Sequence, residues 1–106
     1  MTAVSADLPG VTTVSGRAVR RIAARAAREV AGVAEPVRVD AEISGDRAAL
    51  DIRLPVHYPE PVGRVTDACR DHLLRRTEEL TGLDISRVDI VVTELATEAA
   101  PAGRVR

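Results

Sequence analysis

Apolar residues recur along this chain with two different periods, and the change of period marks out helices and strands. From Arg17 they recur every three or four residues, which predicts an amphipathic helix capped by Ser15 and ending at Gly32. The expected core face of this helix contains Val19, Ile22, Ala23, Ala26, Val30 and Val33. A second helical stretch begins at Pro61 and ends at Gly82. Its expected core face contains Val62, Val65, Cys69, Leu73 and Leu80.

Strict alternation of apolar and polar residues predicts strands between and after the helices. The runs Val37–Ile43 and Leu50–Tyr58 alternate and are joined by a turn around Gly45, which predicts a hairpin. Pro55 cannot donate a ladder hydrogen bond, so we expect it at an edge or at a bulge. A last strand is predicted at Val88–Val92. A short β-branched run at residues 11–14 could form a first edge strand.

This order of elements predicts the fold. It is (β)αββαβ, an α+β two-layer sandwich in which a mixed three- to four-stranded sheet carries both helices on one face. The other face of the sheet would then be polar and of mixed charge, except at Val91. We expect a flexible arm at residues 1–10, one domain at 11–95 and a disordered tail at 96–106.

Composition narrows the class of protein. The 106-residue chain has a net charge of −1, and Tyr58 is its only aromatic residue, so the core must be aliphatic. Nucleic-acid-binding domains are usually basic, and those that bind RNA or single strands on a sheet usually add aromatic side chains for base stacking, which argues against that class. The single cysteine, Cys69, excludes an intramolecular disulfide and fits a reducing compartment. With no apolar run of about 20 residues and no signal peptide, the expected location is the cytoplasm.

The arginines of the first helix are the most distinctive surface feature. They occupy the face opposite the core stripe and are Arg17, Arg20, Arg21, Arg25 and Arg28. Direct membrane insertion is not expected, because the fold needs the apolar face of this helix. Contact with a protein partner is favoured, and a nucleic-acid-binding module using the same arginines is the alternative. Leu74 projects among charged residues of the second helix and is a further candidate contact, although one exposed leucine is ordinary.

Residues suited to catalysis are few. Cys69 and His72 lie three apart on one helix, but we find no nucleophile elbow, glycine-rich anion cradle or paired metal-ligand motif. A free cysteine on an apolar helix face is expected to pack as a small hydrophobe. We therefore predict no enzymatic activity, no catalytic residues, no cofactor and no metal. An enzyme using Cys69 and His72 would need a reactive, accessible thiol.

Several short motifs, taken together in order and spacing, resemble those of the bacterial alkaline shock and envelope-stress-response proteins. The resemblance covers about residues 10–95 and includes the strand pair that ends near Tyr58. Its other motifs are Val14, Val19-x-x-Ile22-Ala23, Ala27-x-Glu29-Val30-Ala31-Gly32-Val33, Val62-x-x-Val65, Thr81-Gly82-Leu83 and Val88-Asp89-Ile90-x-Val92.

The resemblance implies a non-enzymatic cytoplasmic protein linked to cell-envelope stress. It also implies a peripheral protein that is held near the membrane by a membrane-anchored partner and forms homo-oligomers. The family has no known catalytic residues, so none are transferred to this chain.

Overall fold

The computed structural model of the protein describes residues 15–97 of the chain. The predicted arm at 1–10, the first strand at 11–14 and all but two residues of the tail at 96–106 lie outside the described residues. Two helices and three strands follow one another along the described part of the chain: α1 (Gly16–Arg28), β1 (Arg38–Ser44), β2 (Arg47–His57), α2 (Val62–Thr81) and β3 (Asp84–Ala96).

The three strands form one mixed sheet in the order β1-β2-β3. β2 is central, and it pairs antiparallel with β1 and parallel with β3. Both helices cover the same face, where α1 packs on β1 and α2 packs on β3. The buried side chains of β2 supply the middle of the core and are Ala48, Leu50, Ile52, Leu54 and Val56. This arrangement confirms the predicted α+β fold and its two layers.

The predicted hairpin is present, with small differences in its limits. A two-residue turn joins β1 to β2, and Gly45 adopts a φ of 63° there. Pro55 lies in the central strand at a register shift between Leu54 and Val56, so the bulge accommodates it. The predicted strand Leu50–Tyr58 extends one residue too far, and its alternation wrongly assigns Tyr58 to the same face as Leu50, Ile52, Leu54 and Val56. β2 ends at His57, and the Tyr58 side chain is 60% exposed in the turn that follows.

Helix α1 begins as predicted and ends earlier. The Ser15 hydroxyl accepts a hydrogen bond from the Ala18 N–H at 3.0 Å, which satisfies one donor of the first turn. The helix ends at Arg28 instead of continuing to Gly32. The next residues turn toward the sheet, where the His57 N–H donates to the Gly32 carbonyl at 2.8 Å. Sheet pairing of this segment therefore replaces the last turn that the sequence predicted.

Helix α2 ends as predicted, but its buried face differs from the expected one. Its buried residues follow one another at intervals of four and are Val65, Cys69, Leu73 and Thr77. An interval of four residues exceeds a full turn by about 40°, so the buried stripe winds around the helix. Leu80 lies outside this stripe and is 52% exposed. The expectation that Leu80 belongs to the core is therefore wrong, and Thr77 is buried instead.

Candidate interaction surfaces

The arginine face of α1 is exposed as the sequence predicted. Arg17, Arg20, Arg21, Arg25 and Arg28 are all exposed, while Val19, Ala23, Ala26 and Ala27 bury the opposite face. Within residues 15–97, only Arg28 among these five has a carboxylate at ion-pair distance, and its Nε lies 3.5 Å from Glu35 Oε1. An exposed pair of this kind contributes little to stability. The arginines are therefore available for contacts outside the domain.

A depression lined by both aliphatic and charged side chains lies beside these arginines, between the two helices. Its walls are Ile22, Arg25, Ala26, Glu29, Arg76 and Leu80, and its volume is about 290 Å³. We call it the inter-helix groove. A second depression of about 590 Å³ lies along α1 and shares Ile22 and Arg25 with the groove. Together the two depressions are lined by four aliphatic residues, four arginines and Glu29.

Sequence reasoning missed this groove because it placed Leu80 in the core. The sequence does contain a sign of the actual buried face. Val65, Cys69, Leu73 and Thr77 recur every four residues, and including Thr77 among the buried positions leaves Leu80 outside the core. Ile22 was also expected in the core, but it is only half-buried. The two aliphatic side chains that flank the arginines are thus both partly open to solvent.

Leu74, the second candidate contact, is placed differently from the expectation. It is half-buried and packs against the core cluster. The expectation that it projects away from the core is therefore wrong. Leu74 does not line the inter-helix groove, so the structure does not bring it together with the arginines of α1.

A polar contact fixes the end of α1 against α2. The Glu29 carboxylate lies 2.8 Å from His72 Nε2 and 4.0 Å from Arg76 Nε. The hydrogen bond with His72 and the charge of Arg76 lower the pKa of Glu29 below its usual value, against an opposing effect of burial. His72, which the sequence offered as a catalytic candidate, is thus engaged in a contact between helices.

Cys69 has the surroundings of a packed residue. Its side chain is fully buried in the core cluster. Burial raises the pKa of the thiol to about 11, although the positive charge of Arg70 partly opposes this. A buried thiol that stays protonated is a poor nucleophile. These surroundings do not match the reactive thiol that the alternative of an enzyme using Cys69 and His72 requires.

The uncovered face of the sheet carries charges in transverse rows. Asp40, Asp51 and Asp89 are register partners across the three strands, and Arg38 and Arg53 form the adjacent row. Arg87 partly neutralises the aspartate row, because its guanidinium lies 2.7 Å from Asp89 and 3.4 Å from Asp51. Within the described residues, no group of three or more His, Cys, Asp or Glu side chains is arranged to hold a metal ion.

The outer edge of β3, which faces away from β2, is only partly capped. The Ile85 N–H donates to Glu78 Oε2 at 3.0 Å, and Arg70 Nε donates to the Val88 carbonyl at 3.3 Å. α2 therefore supplies polar partners near the start of β3. No strand within residues 15–97 pairs with this edge, and farther along it Val91 and Leu95 are 56% and 50% exposed. An unpaired edge next to exposed apolar side chains is suited to pairing with another strand.

Neither helix of the described region is long and apolar enough to cross a membrane. No known family model matches the chain, and no curated protein matches it.

Solved structures do match. The manganese form of a MamM CTD variant is 17% identical with a TM-score of 0.56, and the match covers 74% of this chain and 96% of that one. A nickel form of another MamM CTD variant is 16% identical with a TM-score of 0.58, covering 76% and 99%. A MamM CTD comprising residues 215–293 of that protein gives 17% identity and a TM-score of 0.57, covering 74% and 96%. At this identity, the similarity shows a shared fold.

Proposed function

We propose that this chain is a non-catalytic module that self-associates by pairing the outer edges of β3 from two copies. The observation that carries the proposal is the edge itself. β3 is the longest of the three described strands, with 13 residues, and α2 caps only its first part. Natural proteins usually protect such edges by short strands, charges or covering elements, and an edge left open can pair with another chain.

The sequence of β3 is compatible with pairing to itself. In an antiparallel pair centred on Val91, this residue meets Val91 of the second copy, and Ile90 meets Val92. Asp89 then faces Thr93, so no like charges are opposed across the centre. The pair would shield the exposed Val91 side chains and extend the three-stranded sheet to six strands.

We expect a reversible dimer. A single strand pair buries less than the about 1,200–2,000 Å² that is usual for stable complexes. Association should therefore depend on protein concentration. The fold that the chain shares with the MamM CTD is consistent with a module that leaves one sheet face uncovered and, within residues 15–97, the outer edges of β1 and β3 without a strand partner.

The cellular part of the proposal rests on the motif resemblance alone. We place the module in the cytoplasm, close to the membrane through a membrane-anchored protein partner, in the response to envelope stress. Crosslinking in the native host followed by pull-down would test this part. Recovery of a membrane-anchored protein is expected, and a pull-down without one would contradict the placement.

Sedimentation velocity over a range of protein concentrations tests the self-association. The wild-type chain should shift from monomer toward dimer, and Val91→Lys should remain a monomer because it places two ammonium groups opposite each other. Glu42→Gln is the matched control, since it also raises the net charge by one on the same sheet face, but at the opposite edge strand. A wild-type chain that stays monomeric throughout would refute the proposal.

Disulfide trapping tests the geometry of the pair. Residues directly opposite in an antiparallel pair have Cα atoms about 4.5–5.5 Å apart, which a disulfide can bridge. Val91→Cys should therefore form a covalent dimer under mild oxidation, whereas Glu42→Cys on β1 should not. Equal trapping at both positions would show that β3 is not the contact.

A further inference from the structure

We propose that the inter-helix groove and the adjoining arginines of α1 bind an acidic, amphipathic segment of a partner protein. This goes beyond self-association, because the groove is lined by residues of α1 and α2 and of the α1 cap, and by no residue of β3. An aliphatic side chain of the partner would sit between Ile22 and Leu80, and its carboxylates would face Arg21, Arg25 and Arg28.

The charge around the groove selects an acidic partner. Arg21 and Arg25 have no carboxylate at ion-pair distance within residues 15–97, although the charge of Arg25 helps to lower the pKa of Glu29. The partner of Arg28 is the exposed Glu35. The acids nearest the groove are already engaged, since Glu29 bonds to His72 and Glu79 pairs with Arg76 at 2.9 Å. The arginines around the groove therefore give it an excess of positive charge, which is complementary to carboxylates.

The aliphatic residues that line the groove favour an apolar side chain of the partner. Leu80 is 52% exposed and shares the groove with Ile22 and Ala26. A volume of about 290 Å³ is at the lower limit of the about 300–1,000 Å³ found for small-molecule pockets, so it suits one or two side chains better than a whole ligand. Helices that bind in grooves use such anchors at helical spacing, with charged residues alongside.

The same features favour a protein segment over a nucleic acid. Contacts to phosphate need arginines but no neighbouring aliphatic side chains, and proteins that bind single-stranded nucleic acids add aromatic side chains for base stacking. Tyr58 is the only aromatic residue of the chain, and it does not line the groove or the adjoining depression. Leu80 is therefore the residue that distinguishes the two kinds of partner.

The probe is a fluorescein-labelled peptide with leucine and glutamate at helical spacing, and binding to the full chain is followed by fluorescence anisotropy. Leu80→Ser should weaken binding about tenfold or more, because one buried aliphatic side chain is lost. Arg25→Glu should weaken it by about threefold or more and should reduce its dependence on salt. The same peptide with serine in place of leucine should bind much more weakly than the original.

Matched variants separate this groove from general charge effects. Leu95→Ser removes a leucine of nearly equal exposure, 50%, from β3, and Arg64→Glu reverses an exposed arginine that does not line the groove. Both should bind the peptide as the wild type does, and so should Val91→Lys, which tests self-association separately.

Three results would overturn the proposal. The first is the absence of peptide binding by the wild type, and the second is an equal loss of peptide affinity in Leu80→Ser and Leu95→Ser. The third is salt-sensitive binding of polyuridylate RNA that is stronger than peptide binding and is unaffected by Leu80→Ser. The last result would identify the arginines as a phosphate-binding surface. Replacing Arg21 and Arg28 together by Glu should then abolish RNA binding.

Discussion

Two glycines follow the two helices in similar sequence settings, Ala31-Gly32-Val33 and Thr81-Gly82-Leu83, and the structure uses them differently. Gly82 closes α2 directly, with a φ of 76° and its N–H donating to the Glu78 carbonyl at 2.9 Å. Gly32 has a φ of 95° but lies beyond the Glu29 cap of α1, in the segment that joins the sheet. Similar triplets thus end a helix in one case and, in the other, lie in the segment that connects α1 to the sheet.

The surroundings of the two glycines explain the difference. A Cβ atom on Gly32 would lie 2.6 Å from Val65 Cγ2. This position therefore has no room for a side chain while α2 packs against the segment between α1 and β1. A Cβ atom on Gly82 would have no neighbouring atom within 4 Å. Gly32 is therefore required by backbone conformation and by packing, whereas Gly82 is required by backbone conformation alone.

Gly32→Ala should have the largest effect of the changes that test this comparison. We expect a loss of about 2–4 kcal/mol in the free energy of unfolding, from a strained positive φ and from overpacking against Val65. Urea denaturation would measure it. In a double-mutant cycle, Val65→Ala should recover part of the loss, and strictly additive effects would show that the close contact carries no energy.

Gly82→Ala should cost less, about 1 kcal/mol, because only the left-handed backbone is penalised. The same denaturation experiment applies. A loss as large as that of Gly32→Ala would contradict the distinction between the two sites.

Gly63→Ala should have the opposite sign. Gly63 lies in α2 with an ordinary φ, and an added Cβ would meet no atom within 4 Å. We expect a gain of about 0.5 kcal/mol from higher helix propensity and a less flexible unfolded chain. If Gly63→Ala lowered the free energy of unfolding, the backbone φ and the free space around a Cβ atom would not be what decides the effect of replacing a glycine in this protein.

Glu29→Gln should have the smallest effect, and the effect should depend on pH. Folding lowers the pKa of Glu29 from its ordinary 4.5, through the hydrogen bond with His72 and the charge of Arg76. The ionised carboxylate therefore stabilises the fold above pH 4.5, and this contribution is lost as the pH falls through the lower, folded-state pKa. The Tm of the wild type should exceed that of Glu29→Gln near pH 6, and the two should converge at acid pH.

Asp71→Asn is a suitable control for this measurement, because Asp71 is an exposed acid whose ion pair, with Arg75, lies within α2. A Tm difference for Glu29→Gln that stays constant with pH would show that the ionised form is not what holds the two helix segments together.

The sequence by itself determined the order of the described helices and strands and the faces of α1, β1 and most of β2. The 3.6-residue period separated the arginines of α1 from its alanine and valine core, and the alternation in β1 and β2 assigned the polar residues to the uncovered face. The hairpin turn at Gly45, the cap at Ser15 and the end of α2 at Gly82 also followed from local chemistry. These features depend on residues close together in the chain, so a local pattern is enough to predict them.

The tertiary structure decided the features that depend on distant neighbours. α1 ends at Arg28, and the chain beyond it hydrogen bonds to β2 through Gly32 and Ala34. Leu80 is exposed because the packing of α2 buries Thr77 instead. The alignment of three aspartates and the open edge of β3 follow from strand order and register. The inter-helix groove likewise exists only where residues from α1 and α2 meet. Periodicity places a side chain on one face of its own element, but which part of that face another element covers is decided by packing between segments far apart in sequence.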